Sequence, residues 1–187
     1  MNETTTKLGM KYISVTRALS PYADFSMINP EVLEAAAQRG TRVHTACSNY
    51  ALGNYAYVPD MCKGFFESYK KWFDEYVEKV IAVEIALKCD TYGIVGHPDL
   101  IVLIKGDEHP TVIDLKTPIT KNKLWEAQLA AYRYLAKKYN PKRVASLRLK
   151  RDGSMPLFDE YDNSEADFAA FLAALTATRY FGKEEKC

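Results

Sequence analysis

The sequence predicts an α/β fold, a mixed sheet with helices packed against it. Three observations carry this expectation. Between residues 81 and 117, apolar runs separated by turn residues read as successive strands. Before and after them, stretches of helix formers and apolar residues recur at three and four. A late alternating run, V-A-S-L-R-L-K from Val144 to Lys150, adds one more strand. The resulting order is helix, helix, three strands, helix, strand, helix. With 187 residues, 48% of them hydrophobic, the chain suffices for one sizeable core, and a single domain over 1–187 is the simplest organisation.

Residues 1–9 are polar and expected to be loose. A short apolar run, Tyr12 to Val15, precedes a polar turn. Asn29-Pro30 supplies an N-cap and a proline at the first helical position, ahead of E-V-L-E-A-A-A-Q-R. Gly40 is a place for that helix to kink or end, although T-R-V-H-T-A-C-S-N-Y-A-L continues a helical pattern to Gly53. Pro59-Asp60 restarts the chain, with Asp60 as cap. Phe65, Phe66, Tyr69, Trp72, Phe73, Tyr76, Val77 and Val80 then mark an amphipathic helix. These aromatics could stack nucleic-acid bases, but at helical spacing core packing explains them better.

The runs I-A-V-E-I-A-L, Y-G-I-V-G-H-P-D-L-I-V-L-I and T-V-I-D-L-K-T follow, divided by Cys89-Asp90 and Gly106-Asp107, as expected of an antiparallel meander. Thr120 to Tyr139 returns to helical spacing and Asn140-Pro141 stops it. Arg143 to Lys150 reads as a half-buried strand, and Asp152-Gly153 as a hairpin turn. Ser164-Glu165-Ala166-Asp167 resembles a capping box opening a last helix, over 164–181, with Phe168, Phe171, Leu172 and Leu175 inward.

A formal net charge of +1 leaves no global basic field, so any polyanion must be met by local Lys/Arg patches. Cys47, Cys62, Cys89 and Cys187 form no C-x-x-C pair, which argues against a zinc or iron–sulfur site and against a disulfide scaffold. The N-terminus has no apolar leader and no segment is long enough to span a bilayer, so a soluble, cytoplasmic protein is expected.

The chemistry concentrates between Gly93 and Tyr132. Asp114 and Lys116 are i and i+2 on an apolar strand and share a face, while Leu115 points away. Asp99 stands fifteen residues upstream of Asp114, a hairpin partner's distance, at the start of its own apolar run. Desolvating an acid and an ammonium together is costly without a reason. Alone, D-x-K is as well explained by a solvated edge ion pair, but I-V-L-I and V-I make these strands central. Gln128 and Tyr132, i and i+4 on the next helix, add a polar pair within an apolar stripe. Hard oxygen donors suit Mg²⁺ or Mn²⁺, and an adjacent lysine suits phosphoryl chemistry.

Four motifs, R-G-T-R-V-H (39–44), G-H-P-D (96–99), I-D-L-K-T (113–117) and Q-L-A-A-Y (128–132), occur in an order that resembles the PD-(D/E)XK nuclease superfamily, in its RecB-type, Cas4-like exonuclease branch. The resemblance covers about residues 30–150. It implies a restriction-endonuclease-like core and a metal-dependent exonuclease that hydrolyses DNA phosphodiester bonds in single strands or at duplex ends. It further implies that His44, Asp99 and Asp114, with the Leu115 carbonyl, hold one or two Mg²⁺ or Mn²⁺ ions, and that Lys116 is the catalytic lysine. Gln128 and Tyr132 match a pair that supports the site and touches the strand. The cysteine-ligated cluster of some members is not expected here, and any helicase or recombination partner would be a separate chain.

Glu84, on the preceding run, is an auxiliary ligand or strand contact, or else a structural ion pair. Thr117 can bond a phosphate or simply its own backbone. Lys121 and Lys123, directly after the D-x-K strand, are the best candidates for phosphate contacts. His97 is structural or substrate-facing, and His109 is solvated in a turn. Self-association is left open. The rival functions are a non-catalytic nucleic-acid-binding module that keeps the fold, and an interaction protein in which D-x-K is a surface pair.

Overall fold

The computed structural model describes residues 5–6, 9–162 and 164–182. Most of the expectation for residues 1–9 falls outside these, as does Cys187. Five strands form the main sheet: β2 (Val77–Val83), β5 (Leu100–Ile104), β6 (Thr111–Lys116), β7 (Arg143–Arg148) and β8 (Leu157–Glu160), in that spatial order. All neighbours are antiparallel except β6 and β7, which run parallel because helix α4 (Leu124–Leu135) carries the chain between them. A smaller sheet holds β1 (Ile13–Ser14), β4 (Ile94–Gly96) and β3 (Leu87–Cys89) in the order β1-β4-β3. The fold is a mixed α/β sheet flanked by helices.

Alternation along the strands divides the core. Leu100, Val102, Ile113, Leu115, Ala145 and Leu147 pack toward α2 (Pro30–Ala51) and α3 (Lys63–Tyr76). Ile101, Val112 and Val144 pack toward α1 (Val15–Leu19), α4 and α5 (Ser164–Phe181). Asp114 and Lys116 share parity with Val112, so both face α4.

Several expectations are corrected. The meander is interrupted: the first run splits after Val83 and the second between Gly96 and Leu100. Glu84 adopts φ +48°, which an extended strand cannot hold, and Pro98 has no amide to donate to a ladder. The broken-off pieces become β3 and β4 in the second sheet. Helix α3 stops at Tyr76, so Val77 and Val80 belong to β2. Valine suits a strand as well as a helix, and the Lys105 ammonium caps the last turn by donating to the Asp74 and Glu75 carbonyls.

Asp60 caps no helix; it lies in a 3₁₀ turn and pairs with Lys63 at 2.6 Å. Helix α2 runs through Gly40 unbroken, with Asn29 accepting from the Glu31 amide as expected. Helix α4 is shorter than 120–139 and is followed by a 3₁₀ turn, Lys137–Tyr139, closed by Asn140 in the left-handed region. Strand β7 is buried along Val144–Leu147, not half-buried, because β6 and β8 cover its edges and helices cover both faces. Ser164 is already helical, and its hydroxyl accepts from the Arg133 guanidinium at 2.6 Å. Of the apolar face of α5, Phe171 and Leu175 are buried while Phe168 and Leu172 are half-buried.

Candidate active site

Asp99 is the hub. It sits at the entry to β5, 5% exposed, and its two oxygens are divided between two elements. Oδ1 meets His44 Nδ1 of α2 at 3.1 Å, and Oδ2 accepts from the Leu115 amide of β6 at 2.6 Å. The Glu84 amide donates to the Asp99 carbonyl at 3.0 Å, opposite it across the β2–β5 pair. The left-handed backbone of Glu84 thus marks both the end of β2 and an acid beside Asp99.

Although Glu84 is exposed as a residue, its carboxylate joins the cluster: ligand atoms of His44, Glu84 and Asp99 lie within 4.8 Å of one another. Ser48, one turn after His44, donates to Glu84 Oε1 at 3.3 Å. Burial opposes protonation of the His44 ring, but the Asp99 and Asp114 carboxylates outweigh it and hold its pKa at about 9. Partial burial and then the Asp99 carboxylate push Glu84 up to about 7.

A second group lies on the α4 side. The Lys116 ammonium donates to Gln128 Oε1 at 3.0 Å, forms an ion pair with Asp114 Oδ2, and lies 5.3 Å from the centre of the Trp125 ring. Gln128 Nε2 lies within hydrogen-bonding distance of Asp114 Oδ1, at 3.2 Å, and of the Tyr132 hydroxyl, at 3.1 Å. Gln128 and Tyr132 are both buried, so in this arrangement they brace Asp114 and Lys116. Gly96 allows that bracing: a Cβ there would come within 2.8 Å of the Tyr132 ring and of Leu135. Burial raises the Asp114 pKa and Asp99 adds to this, against the pull of Lys116. Burial likewise raises the Tyr132 phenol above its usual range.

The donor set fits a hard divalent cation. One imidazole and two carboxylates converge, and Asp114 Oδ2 is a buried oxygen whose partner is the Lys116 ammonium. Asp114 is not part of the converged triple; its oxygens face Lys116 and Gln128 instead.

A model of the PD-(D/E)XK nuclease superfamily matches residues 31–184. The chain belongs to this superfamily. No curated protein matches it. Among solved structures, the crystal structure of SSO0001 is similar at 17% identity and a TM-score of 0.45, over 98% of this chain and 79% of that one.

The other residues singled out in this nuclease chain are placed as follows. Thr117 opens the loop after β6, beside Gly40 of α2. Lys121 holds Asp159 at 2.6 Å and Lys123 pairs with Glu126, so each is already matched to an acid. His97 and His109 are exposed. Sequence reasoning missed Ser48 and Trp125. Ser48 was recoverable, since it is i+4 from His44 on one helix face. The contact of Trp125 with Lys116 depends on how α4 docks, which has no local signal. Among the described residues, no helix is long and apolar enough to cross a membrane.

Proposed function

We propose that the chain is a divalent-metal-dependent DNA exonuclease of the RecB-type branch, a single catalytic domain without an iron–sulfur cluster, acting on single strands or duplex ends. The observation that carries this reading is the meeting, around Asp99, of the ligand triple His44–Glu84–Asp99 with the Asp114–Lys116–Gln128 group.

In this reading His44, Asp99 and Asp114, with the Leu115 carbonyl and with Glu84 as auxiliary, hold one or two Mg²⁺ or Mn²⁺ ions. Such a cation supplies Lewis acidity, drawing charge from a phosphate oxygen and acidifying water. Lys116, steadied by Gln128 and Asp114, activates or orients the attacking water, or stabilises the charge that develops as the P–O bond breaks. Gln128 and Tyr132 keep that lysine in place. Thr117, and Lys121 and Lys123 once released from their acids, contact phosphates of the strand. A helicase or recombination protein would act as a separate partner, in the cytoplasm.

The test is incubation with end-labelled single- and double-stranded DNA in Mg²⁺, Mn²⁺ or EDTA. Labelled short products are expected with either metal and none in EDTA. Asp114→Ala and Lys116→Ala are each expected to lower cleavage by about 10³-fold or more while circular dichroism stays native. Undiminished cleavage by the purified variants would overturn the assignment. A gel shift without cleavage in Mn²⁺ would turn it into the non-catalytic binding module.

A further inference from the structure

Beyond Lys116 the chain turns along a groove of ≈580 Å³, the size range of small-molecule and nucleotide sites. Thr117, Pro118 and Ile119 form one wall, and Leu149, Lys150 and Arg151 the other. Arg39 of α2, Phe65 of α3 and Leu157 of β8 also line it.

Both walls are fixed. Arg148 donates to the Ile119 carbonyl while its guanidinium also holds Asp159. On the opposite side, three residues of α3 spaced along one face grip the 150–153 turn. A Cβ on Gly64 would lie 1.7 Å from the Arg151 carbonyl oxygen, so only glycine permits this seat. The Lys150 amide donates to Ser68 Oγ at 3.0 Å, and Lys71 donates to the Gly153 carbonyl at 2.6 Å.

The groove's cations divide into two sets. Arg148 is matched to Asp159, whereas Arg39, Lys150 and Arg151 form no salt bridge among the described residues. Arg39 Nε is buried without a hydrogen-bond partner, and the guanidinium lies 5.6 Å from the Phe65 ring centre. Asp152, the acid of this turn, also lines the groove; its Oδ1 accepts from the Ser154 amide and hydroxyl, and Lys150 acts on it through space. Behind this basic rim the walls are apolar: Phe65, Leu149 and Leu157, with Ile119 91% exposed.

We propose that this groove is a subsite for an unpaired nucleotide of the strand adjoining the cut, with its phosphate on Arg39 and Arg151 and its base against Ile119. The inference deepens the nuclease reading and rests on it for the choice of a nucleic-acid strand. A duplex offers phosphates outward but keeps its base faces in the stack, so it can use the basic rim and not the apolar wall. A single strand can use both, and base contact with such a surface is sequence-tolerant. The groove therefore selects single-stranded substrate beside the reacting phosphate, through the loop that begins one residue after Lys116.

The test is fluorescence anisotropy in EDTA, where no turnover intrudes, with a labelled oligothymidylate and a blunt duplex of equal length as probes. Arg39→Ala and Arg151→Ala are each expected to weaken oligothymidylate binding by about tenfold, Arg151→Ala also flattening the salt dependence by roughly 0.7 in log–log slope. Ile119→Ser is expected to weaken the single strand about tenfold and leave the duplex unchanged. Arg151 and Ile119 are exposed, so these two variants stay informative if Arg39→Ala unfolds the protein. No effect of Ile119→Ser on the single strand, or an equal loss for the duplex, would overturn the proposal. So would thymidine 5′-phosphate binding as tightly as the oligonucleotide, since a mononucleotide pocket needs no strand. Groove-dependent binding by a protein that fails to cleave would sink the nuclease reading alone, and cleavage unaffected by all three variants would sink the groove alone.

Discussion

The two halves of the site solve the same electrostatic problem in opposite ways. Around Asp114 the charge is balanced within the chain: Lys116 supplies the counter-ion, Gln128 binds both, and Tyr132 backs Gln128. Around Asp99 the balance rests on bound protons. Glu84 and Asp99 crowd one another with only a half-exposed histidine between their elements, and both His44 and Glu84 hold on to protons above their ordinary pKa values. The closed half has its counter-ion in the polypeptide, while the open half has converging donors that a cation can share. The difference leaves the open donors at the His44–Glu84–Asp99 end and the internally paired charges at the α4 end.

Breaking the closed half should have the largest effect on stability. Lys116→Met leaves Asp114 buried without its counter-ion, at a cost of about 3 kcal/mol at pH 8 in metal-free urea melts. Burial already raises the folded-state pKa of Asp114, and loss of Lys116 raises it further. Stability linked to such a carboxyl is intact below its unfolded pKa and is lost as pH rises through the folded one, so the penalty should shrink toward pH 5. A penalty independent of pH would contradict the balanced-pair description.

Filling the open half should act in the other direction. Mn²⁺ at a hundred times its Kd should stabilise by about 2.7 kcal/mol, which is roughly 5–10 °C in Tm for a chain of this size. His44, raised from 6.5 to about 9, loses its protonation-linked stability as pH rises through that value. Glu84, raised from 4.5 to about 7, does the same through 7. Both changes weaken the metal-free protein and free a ligand, so the Mn²⁺-induced rise in Tm should grow between pH 6 and pH 9 in scanning fluorimetry. A rise of constant size would place the metal elsewhere.

Smaller changes sharpen the contrast. Ser48→Ala removes the hydroxyl that draws Glu84 toward its charged form, and should weaken Mn²⁺ binding about tenfold at pH 7, with recovery at pH 9, by calorimetric titration. Glu84→Gln removes one of the crowded carboxylates. It should raise the Tm of the metal-free protein slightly at pH 8 and leave it unchanged at pH 4, while reducing the response to Mn²⁺.

Much of this was legible in the sequence because it depends on local spacing. D-x-K on an apolar strand puts two charges on one face, and Q-x-x-x-Y on the following helix puts two polar groups on another. The crossover helix then brings those faces together. Asn29-Pro30 opened α2 as its chemistry requires. What escaped depends on non-local docking. Nothing in V-I-A-V-E-I-A-L signals that Glu84 turns left-handed and sends the chain into a second sheet. Val77 and Val80 satisfy a helical period and a strand equally well. Lys121 looks available in sequence, but its acid comes from β8, whereas the Lys123–Glu126 pair, i and i+3, was there to be read.

The grip of α3 on the 150–153 turn has a consequence for the order in which the molecule assembles. The Ser68–Lys150 and Lys71–Gly153 bonds each close a loop of 82 positions, which contains every strand from β2 to β7. Long-range closures of this kind reward the chain only after the intervening elements are placed. The basic groove is therefore an end product of folding, and a chain that has built it has already built the strands that carry the acids. The Lys150 amide becomes a reporter for the whole ensemble. Its hydrogen exchange should require near-global opening in the native protein and should speed up selectively in Ser68→Ala, while the amides of β6 stay protected.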